Sequence, residues 1–134
     1  MAEIWLATGP DNRPYALRRM HGRYKLNFLA KHRFMKGCEL LASISDHPSI
    51  VSYVEHGKVS GQPYLLMDYV ESENLKELYS RHDAIVVENI AQILLDMAAG
   101  LEHMHNNGYM HLDFKPENVL VSRNASVKLI DFDL

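Results

Sequence analysis

The sequence predicts an α+β fold of two lobes: a mostly antiparallel sheet with one helix, followed by a helical part. Two contrasting patterns lead there. Up to about residue 70, short apolar runs alternate with Gly, Pro, Asp and Asn, the residues that favour turn dihedrals. Beyond it, apolar residues recur in steps of three and four, the period of a helix with one buried stripe. The length of 134 residues suits one modest core. The division expected is residues 1–69 and residues 70–134.

In the first half, 3–8 reads as a strand with Ile4, Trp5 and Leu6. Gly9-Pro10-Asp11-Asn12-Arg13 supplies a turn, and 14–20 resumes as the second strand of a hairpin. Residues 27–44 place Phe28, Leu29, Phe34, Leu40, Leu41 and Ile44 at helical spacing, and His47-Pro48 ends the helix. Residues 50–56 and 63–69 read as two further strands joined through Gly57 and Gly61. In the second half, 75–80 reads as a short helix capped by Asn74. Residues 87–106 form a long helix with Ile90, Ile93, Leu94, Met97, Leu101 and Met104 on its expected buried stripe, closed by Gly108. Short strands follow near 119–121 and at 127–130, with a turn at Arg123-Asn124.

Composition narrows the function classes. Apolar residues make up 47% and charged residues 23%, an ordinary globular mix, and the net charge of -3 argues against a nucleic-acid binder led by phosphate contacts. The single cysteine, Cys38, rules out a disulfide within the chain and fits a reducing, cytoplasmic setting; it reads as a small core residue. The N-terminus lacks the pattern of a signal peptide, and the most apolar window, 90–101, is too short to span a bilayer. Lys31, His32, Arg33 and Lys36 form a basic cluster that reads as a solvated helix face in preference to a docking patch. The histidines at 103, 105 and 111 read as structural.

The chemistry lies in His111-Leu112-Asp113-Phe114-Lys115-Pro116-Glu117-Asn118 and, after a hairpin, Leu129-Ile130-Asp131-Phe132-Asp133. Phosphoryl transfer needs a carboxylate to orient the incoming hydroxyl, oxygen ligands for magnesium, and a cation for the transferred phosphate. Asp113, the pair Asn118 and Asp131, and Lys115 supply these in that order. Magnesium takes hard oxygen ligands and keeps several from water and phosphate, so two protein oxygens suffice.

These residues resemble the catalytic and magnesium loops of the eukaryotic-type serine/threonine protein kinase family, in a bacterial-like form. The resemblance extends to Pro14-Tyr15-Ala16-Leu17-Arg18 as the family's third strand. It takes in His47-Pro48-Ser49-Ile50-Val51 as the turn after its regulatory helix, and Leu65-Leu66-Met67-Asp68-Tyr69-Val70 as its hinge. It implies a protein-kinase-like fold, with an antiparallel N-lobe sheet, one helix and a partial helical C-lobe. It implies ATP and Mg2+ as cofactors, with Asp113 as catalytic base, Lys115 as phosphate contact, and Asn118 and Asp131 as metal ligands. The Asp68 carbonyl and Val70 N–H would meet the adenine edge, with Met67 behind it. Ile4, Ala16 and Leu120 would sandwich the ring, and Asn74 would lie near the ribose.

The sequence departs from the family in places. Ala2 stands where the last glycine of a phosphate-covering loop would be. Arg18 replaces the third-strand lysine, a substitution that changes both size and fork geometry. Gly37, or Cys38 on a second anchoring, occupies the place of the glutamate that pairs with it, and Glu39 is the nearest acid. Leu112 replaces an arginine and Asp133 a glycine. The resemblance thus implies a domain truncated at both ends, with an intact base-and-metal half. The leading expectation is a serine/threonine protein kinase domain, incomplete in this chain and acting on a protein substrate. The alternatives are a pseudokinase that binds a regulatory protein partner and, less favoured, an aminoglycoside-type small-molecule phosphotransferase. Self-association through an open face of the long helix is a further expectation, with no membrane segment in the chain.

Overall fold

The computed structural model describes residues 2–24 and 26–132. The chain divides into two compact units, one of residues 2–43 and 52–69 with Phe132, the other of residues 44–51 and 70–131.

The first unit is built on a four-stranded antiparallel sheet. Strands β1 (Ala2–Thr8) and β2 (Pro14–Met20) form the expected hairpin, with Ile4 opposite Arg18 and Leu6 opposite Ala16. Its turn closes through Gly9 N–H to Arg13 O at 2.9 Å, and Asn12 takes a φ of 62°, a left-handed conformation that Asn tolerates. Helix α1 (Phe28–Ile44) starts where Asn27 Oδ1 accepts the Ala30 N–H at 2.9 Å. It buries Ala30, Phe34, Cys38, Leu40 and Leu41. Strands β3 (Tyr53–Val59) and β4 (Gln62–Asp68) complete the sheet in the order β1-β2-β4-β3.

The β3–β4 hairpin corrects the sequence expectation. The turn is Ser60-Gly61, both at positive φ (51° and 76°), the mirror-image two-residue turn whose twist suits a hairpin. Gly57 is inside β3, opposite Tyr64. The strand starts at Tyr53 because Ile50 and Val51 serve the other unit: both are buried, and Val51 N–H donates to Leu129 O at 3.1 Å.

The second unit holds α2 (Leu75–Ser80), α3 (Ala84–Asn106) and a three-stranded sheet in the order β5-β6-β7. Asn74 caps α2 as expected, its Oδ1 accepting the Glu77 N–H at 3.0 Å. Helix α3 begins three residues before the expected start, because Asp83 Oδ1 accepts the Ile85 N–H at 3.1 Å. It ends in a full Schellman motif: Gly108 at φ 82°, Tyr109 N–H to Met104 O and Gly108 N–H to His105 O. Strand β5 (Ser72–Asn74), which the sequence reading did not include, pairs with β6 (Val119–Ser122), and β6 pairs with β7 (Val127–Leu129). The 127–130 strand thus ends one residue short of Ile130.

The α3 stripe is narrower than expected. Val86, Ile93, Gly100 and Met104 are buried, whereas Ile90 and Leu94 are about half exposed, with Val87 and Leu95 beside them. By length and composition α3 would also suit a bilayer span, but a core helix meets the same criterion, and α3 packs on α2 and β7. At Gly100 a Cβ would come within 2.9 Å of Leu129 Cδ1 and 3.3 Å of Ser49 Cβ. Gly100→Ala would gain about 1 kcal/mol of helix propensity but overpack a core at a cost of about 1–3 kcal/mol. A net loss is therefore expected in a thermal melt, and a higher melting temperature would contradict this contact.

Candidate active site

The four residues singled out for phosphoryl transfer all belong to the second unit. They lie on one loop and on the segment that follows β7. The loop leaves α3 at Gly108 and passes His111, whose Nε2 is 2.9 Å from Ile130 O. A carbonyl only accepts, so this nitrogen carries the proton. His111 also meets Phe114 edge to face at a centroid distance of 5.8 Å. Pro116–Asn118 then form a single 3₁₀ turn, suited to a proline at its first position, and Asn118 N–H donates to Lys115 O at 2.9 Å. Lys76 of α2 pins the turn through Glu117 at 2.8 Å.

Within this loop Lys115 Nζ lies 2.5 Å from Asp113 Oδ2. Asn118 Nδ2 donates to Asp113 O at 2.9 Å and to Asp113 Oδ2 at 3.2 Å. Asn118 is 6% exposed, so its orientation is fixed by packing as well as by these bonds. The segment before Asp131 is tied to the same turn, since Ile130 N–H donates to Asn118 O at 3.0 Å. Asp131 itself has a φ of 66°, a left-handed conformation uncommon outside Gly, Asn and Asp.

The electrostatics follow from the Lys115 contact. Its hydrogen bond, with a smaller contribution from Asn118, holds the Asp113 carboxyl below the usual carboxylate range; the same contact raises Lys115. Glu117 is lowered chiefly by Lys76. Asp113 is therefore ionised at neutral pH and is a weak proton acceptor, better suited to orienting a hydroxyl than to removing its proton early. With Lys115→Met, the Asp113 carboxyl should titrate at higher pH in a carbon NMR titration. An unchanged midpoint would show that Lys115 is not the cause.

The donor set fits magnesium. Asn118 Nδ2 is committed to Asp113, which leaves Oδ1 as a neutral oxygen donor, and the Asp131 carboxylate provides an anionic one. Among the described residues no group of three or more His, Cys, Asp or Glu is gathered where it could hold a metal.

The residues expected around a nucleotide fall in both units. In the first, Ala16 lies between Leu6 and Met67 across the strands, Ile4 lies opposite Arg18, and Met67 is buried. Leu6, directly across from Ala16 and exposed, is a neighbour that the sequence reading omitted; only the hairpin register reveals it. The Asp68 carboxylate is held by Arg13 at 3.0 and 3.1 Å, and its N–H donates to Ser52 O. The Arg18 guanidinium lies over the Phe34 ring, 5.2 Å from its centroid. Glu39 is exposed and paired with Lys36 at 3.2 Å, while Gly37 and Cys38 are buried in α1. In the second unit, Val70 O accepts from Ser72 Oγ, and Asn74 and Leu120 are cross-strand partners on β5 and β6. The Oδ1 of Asn74 is engaged in capping α2, so Nδ2 is the group it can offer. Asp133 and Leu134 lie outside the described residues, as does Met1.

Comparison with known proteins identifies the family. The protein kinase domain profile matches residues 6–134. A probable serine/threonine-protein kinase PknB of Lactococcus lactis is 28% identical over 92% of this chain and 20% of its own length. Serine/threonine-protein kinase PknL of Mycobacterium tuberculosis is 32% identical over 92% of this chain and 31% of its own. The chain thus spans between a fifth and a third of these relatives. A solved structure titled PpkA-294 apo form superposes with a TM-score of 0.83 at 18% identity, over 98% of this chain and 53% of that one, which establishes the shared α+β fold. With its fold and a profile match over nearly its whole length, this chain belongs to the protein kinase domain family.

Proposed function

We propose that the chain carries the phosphoryl-transfer site of an ATP-dependent serine/threonine protein kinase. The observation that supports this most is the hydrogen-bonded trio Lys115, Asp113 and Asn118, with Ile130 and hence Asp131 tethered to Asn118. The ionised Asp113 accepts a hydrogen bond from a serine or threonine hydroxyl and aims its oxygen at the γ-phosphorus. The new P–O bond forms as the bond to the ADP oxygen breaks, and the hydroxyl proton passes to Asp113 as charge leaves the nucleophile. Lys115, already beside Asp113, faces the charge on the transferred group. Asn118 Oδ1 and Asp131 would hold Mg2+, which neutralises phosphate charge when bound.

In the same reading the first unit offers Ile4, Ala16 and the Asp68 carbonyl to an adenine, with Met67 behind them and Arg18 as a phosphate-side cation. The second unit offers Leu120, the Val70 N–H and Asn74 Nδ2. The Lys115-Pro116-Glu117-Asn118 run and the names of the relatives support a serine/threonine acceptor on a protein. The test is incubation of the protein with γ-labelled ATP and Mg2+, in one arm with a basic serine- and threonine-rich protein followed by phosphoamino-acid analysis, and in a second arm with an aminoglycoside followed by chromatography. Label on serine or threonine is expected. Label found only on tyrosine or on an aminoglycoside would contradict the reading.

A further inference from the structure

Charge is distributed unevenly along the sequence. Residues 12–38 hold eight of the fourteen Lys and Arg and no Asp or Glu, although the whole chain carries a net charge of -3. Between β2 and the second turn of α1, this stretch also presents large apolar side chains to water: Leu26 is 86% exposed, Phe28 85% and Leu29 62%. These are not the core face of α1, which turns Ala30, Phe34, Gly37, Cys38 and Leu41 inward. At about 100° per residue, Phe28, Leu29, His32, Arg33 and Lys36 share an arc of about 140° on the opposite side; the exposed Glu39 lies on the same arc and pairs with Lys36 at 3.2 Å. No ion pair involves Lys31 or Arg33 among the described residues. Arg23, one turn before the helix, stacks on Tyr24.

We infer that this corner, Leu26, Phe28 and Leu29 flanked by Arg23, Lys31 and Arg33, docks the first unit on an anionic lipid bilayer surface. Exposed apolar side chains beside cations are the composition of an interfacial segment: the apolar groups enter the acyl boundary while the cations stay among the headgroups. Charge complementarity selects an anionic leaflet, at about fivefold in affinity per cation. The exposed apolar face of α3 differs, since α3 contains no Lys or Arg at all. A nucleic acid would also attract the cations, but exposed leucines and a phenylalanine add nothing to phosphate contacts. Dependence on those side chains separates the readings. This inference does not rest on the kinase activity, and it goes beyond the expectation of a merely solvated basic face.

The test is sedimentation of the chain with vesicles of phosphatidylcholine alone and of phosphatidylcholine with about 30% phosphatidylserine. Binding to the anionic vesicles only is expected, lost in high salt. Lys31→Glu with Arg33→Glu should weaken it by about 30-fold or more. Phe28→Ser with Leu29→Ser should weaken it as well, with the melt unchanged because both side chains are exposed. As an independent readout, Phe28→Trp in a Trp5→Phe background should show blue-shifted emission on anionic vesicles. No binding, equal binding to neutral vesicles, retention in the Phe28→Ser, Leu29→Ser variant, or an unshifted emission spectrum of the Phe28→Trp variant would each overturn the inference.

Discussion

Replacing Asp113 by Asn is expected to lower phosphoryl transfer by about 10²–10⁴-fold, the range of a lost general acid–base contribution. The amide keeps the shape of the carboxylate, and Asn118 Nδ2 still has the residue-113 backbone carbonyl to donate to. What goes is the negative acceptor that orients the hydroxyl and the anion that holds Lys115 Nζ. The Asp113–Lys115 pair is about half exposed, and pairs of that kind contribute little to stability. Activity should therefore fall while the melting temperature stays close to that of the wild type. A variant retaining activity within a few-fold would show that Asp113 does not orient the acceptor.

Leu129→Ala should have the largest effect on folding, a loss of about 2–5 kcal/mol, set by the transfer of the lost methyl groups and the cavity left behind. Leu129 is fully buried and sits where three parts of the second unit meet. Its N–H donates to Ser49 O at 2.8 Å, its carbonyl accepts from Val51, and its Cδ1 lies over Gly100 of α3. The loss is comparable to the whole stability of a small domain. It should also loosen Asp131, two residues on, so magnesium-dependent binding should weaken with it. Chemical denaturation measures the first and calorimetry the second; a stability within a few tenths of a kcal/mol of wild type would contradict this packing.

The fold was legible in the sequence wherever local chemistry decides it. The β1–β2 turn, the Asn74 cap and the Gly108 terminus each rest on residues whose own dihedrals or side chains define them. The misses share a different cause. Ile50 and Val51 read as the start of a strand because they are apolar, but they are buried by a pairing with Leu129, far along the chain. Strand β5 is Ser72-Glu73-Asn74, with no apolar residue to announce it; it exists because β6 offers it a partner. On α3 the three-four spacing of apolar residues defines an arc of which tertiary packing fully buries only Ile93 and Met104, together with Val86 and Gly100 from outside it.

The site shows the same division. Asp113, Lys115 and Asn118 lie within six residues, and a single turn brings them together, so their spacing carried the geometry. The pairing of Asn74 with Leu120, and of Leu6 with Ala16, depends on strand register, which the sequence pattern left open.

The central claim is that this chain holds Mg-ATP through Asn118 and Asp131, and calorimetric titration of ATP with and without magnesium tests it most directly. Weak binding that strengthens when magnesium is present is predicted, with loss of that dependence in Asp131→Ala. Equal affinity with and without magnesium, or an Asp131→Ala variant that binds as the wild type does, would contradict it.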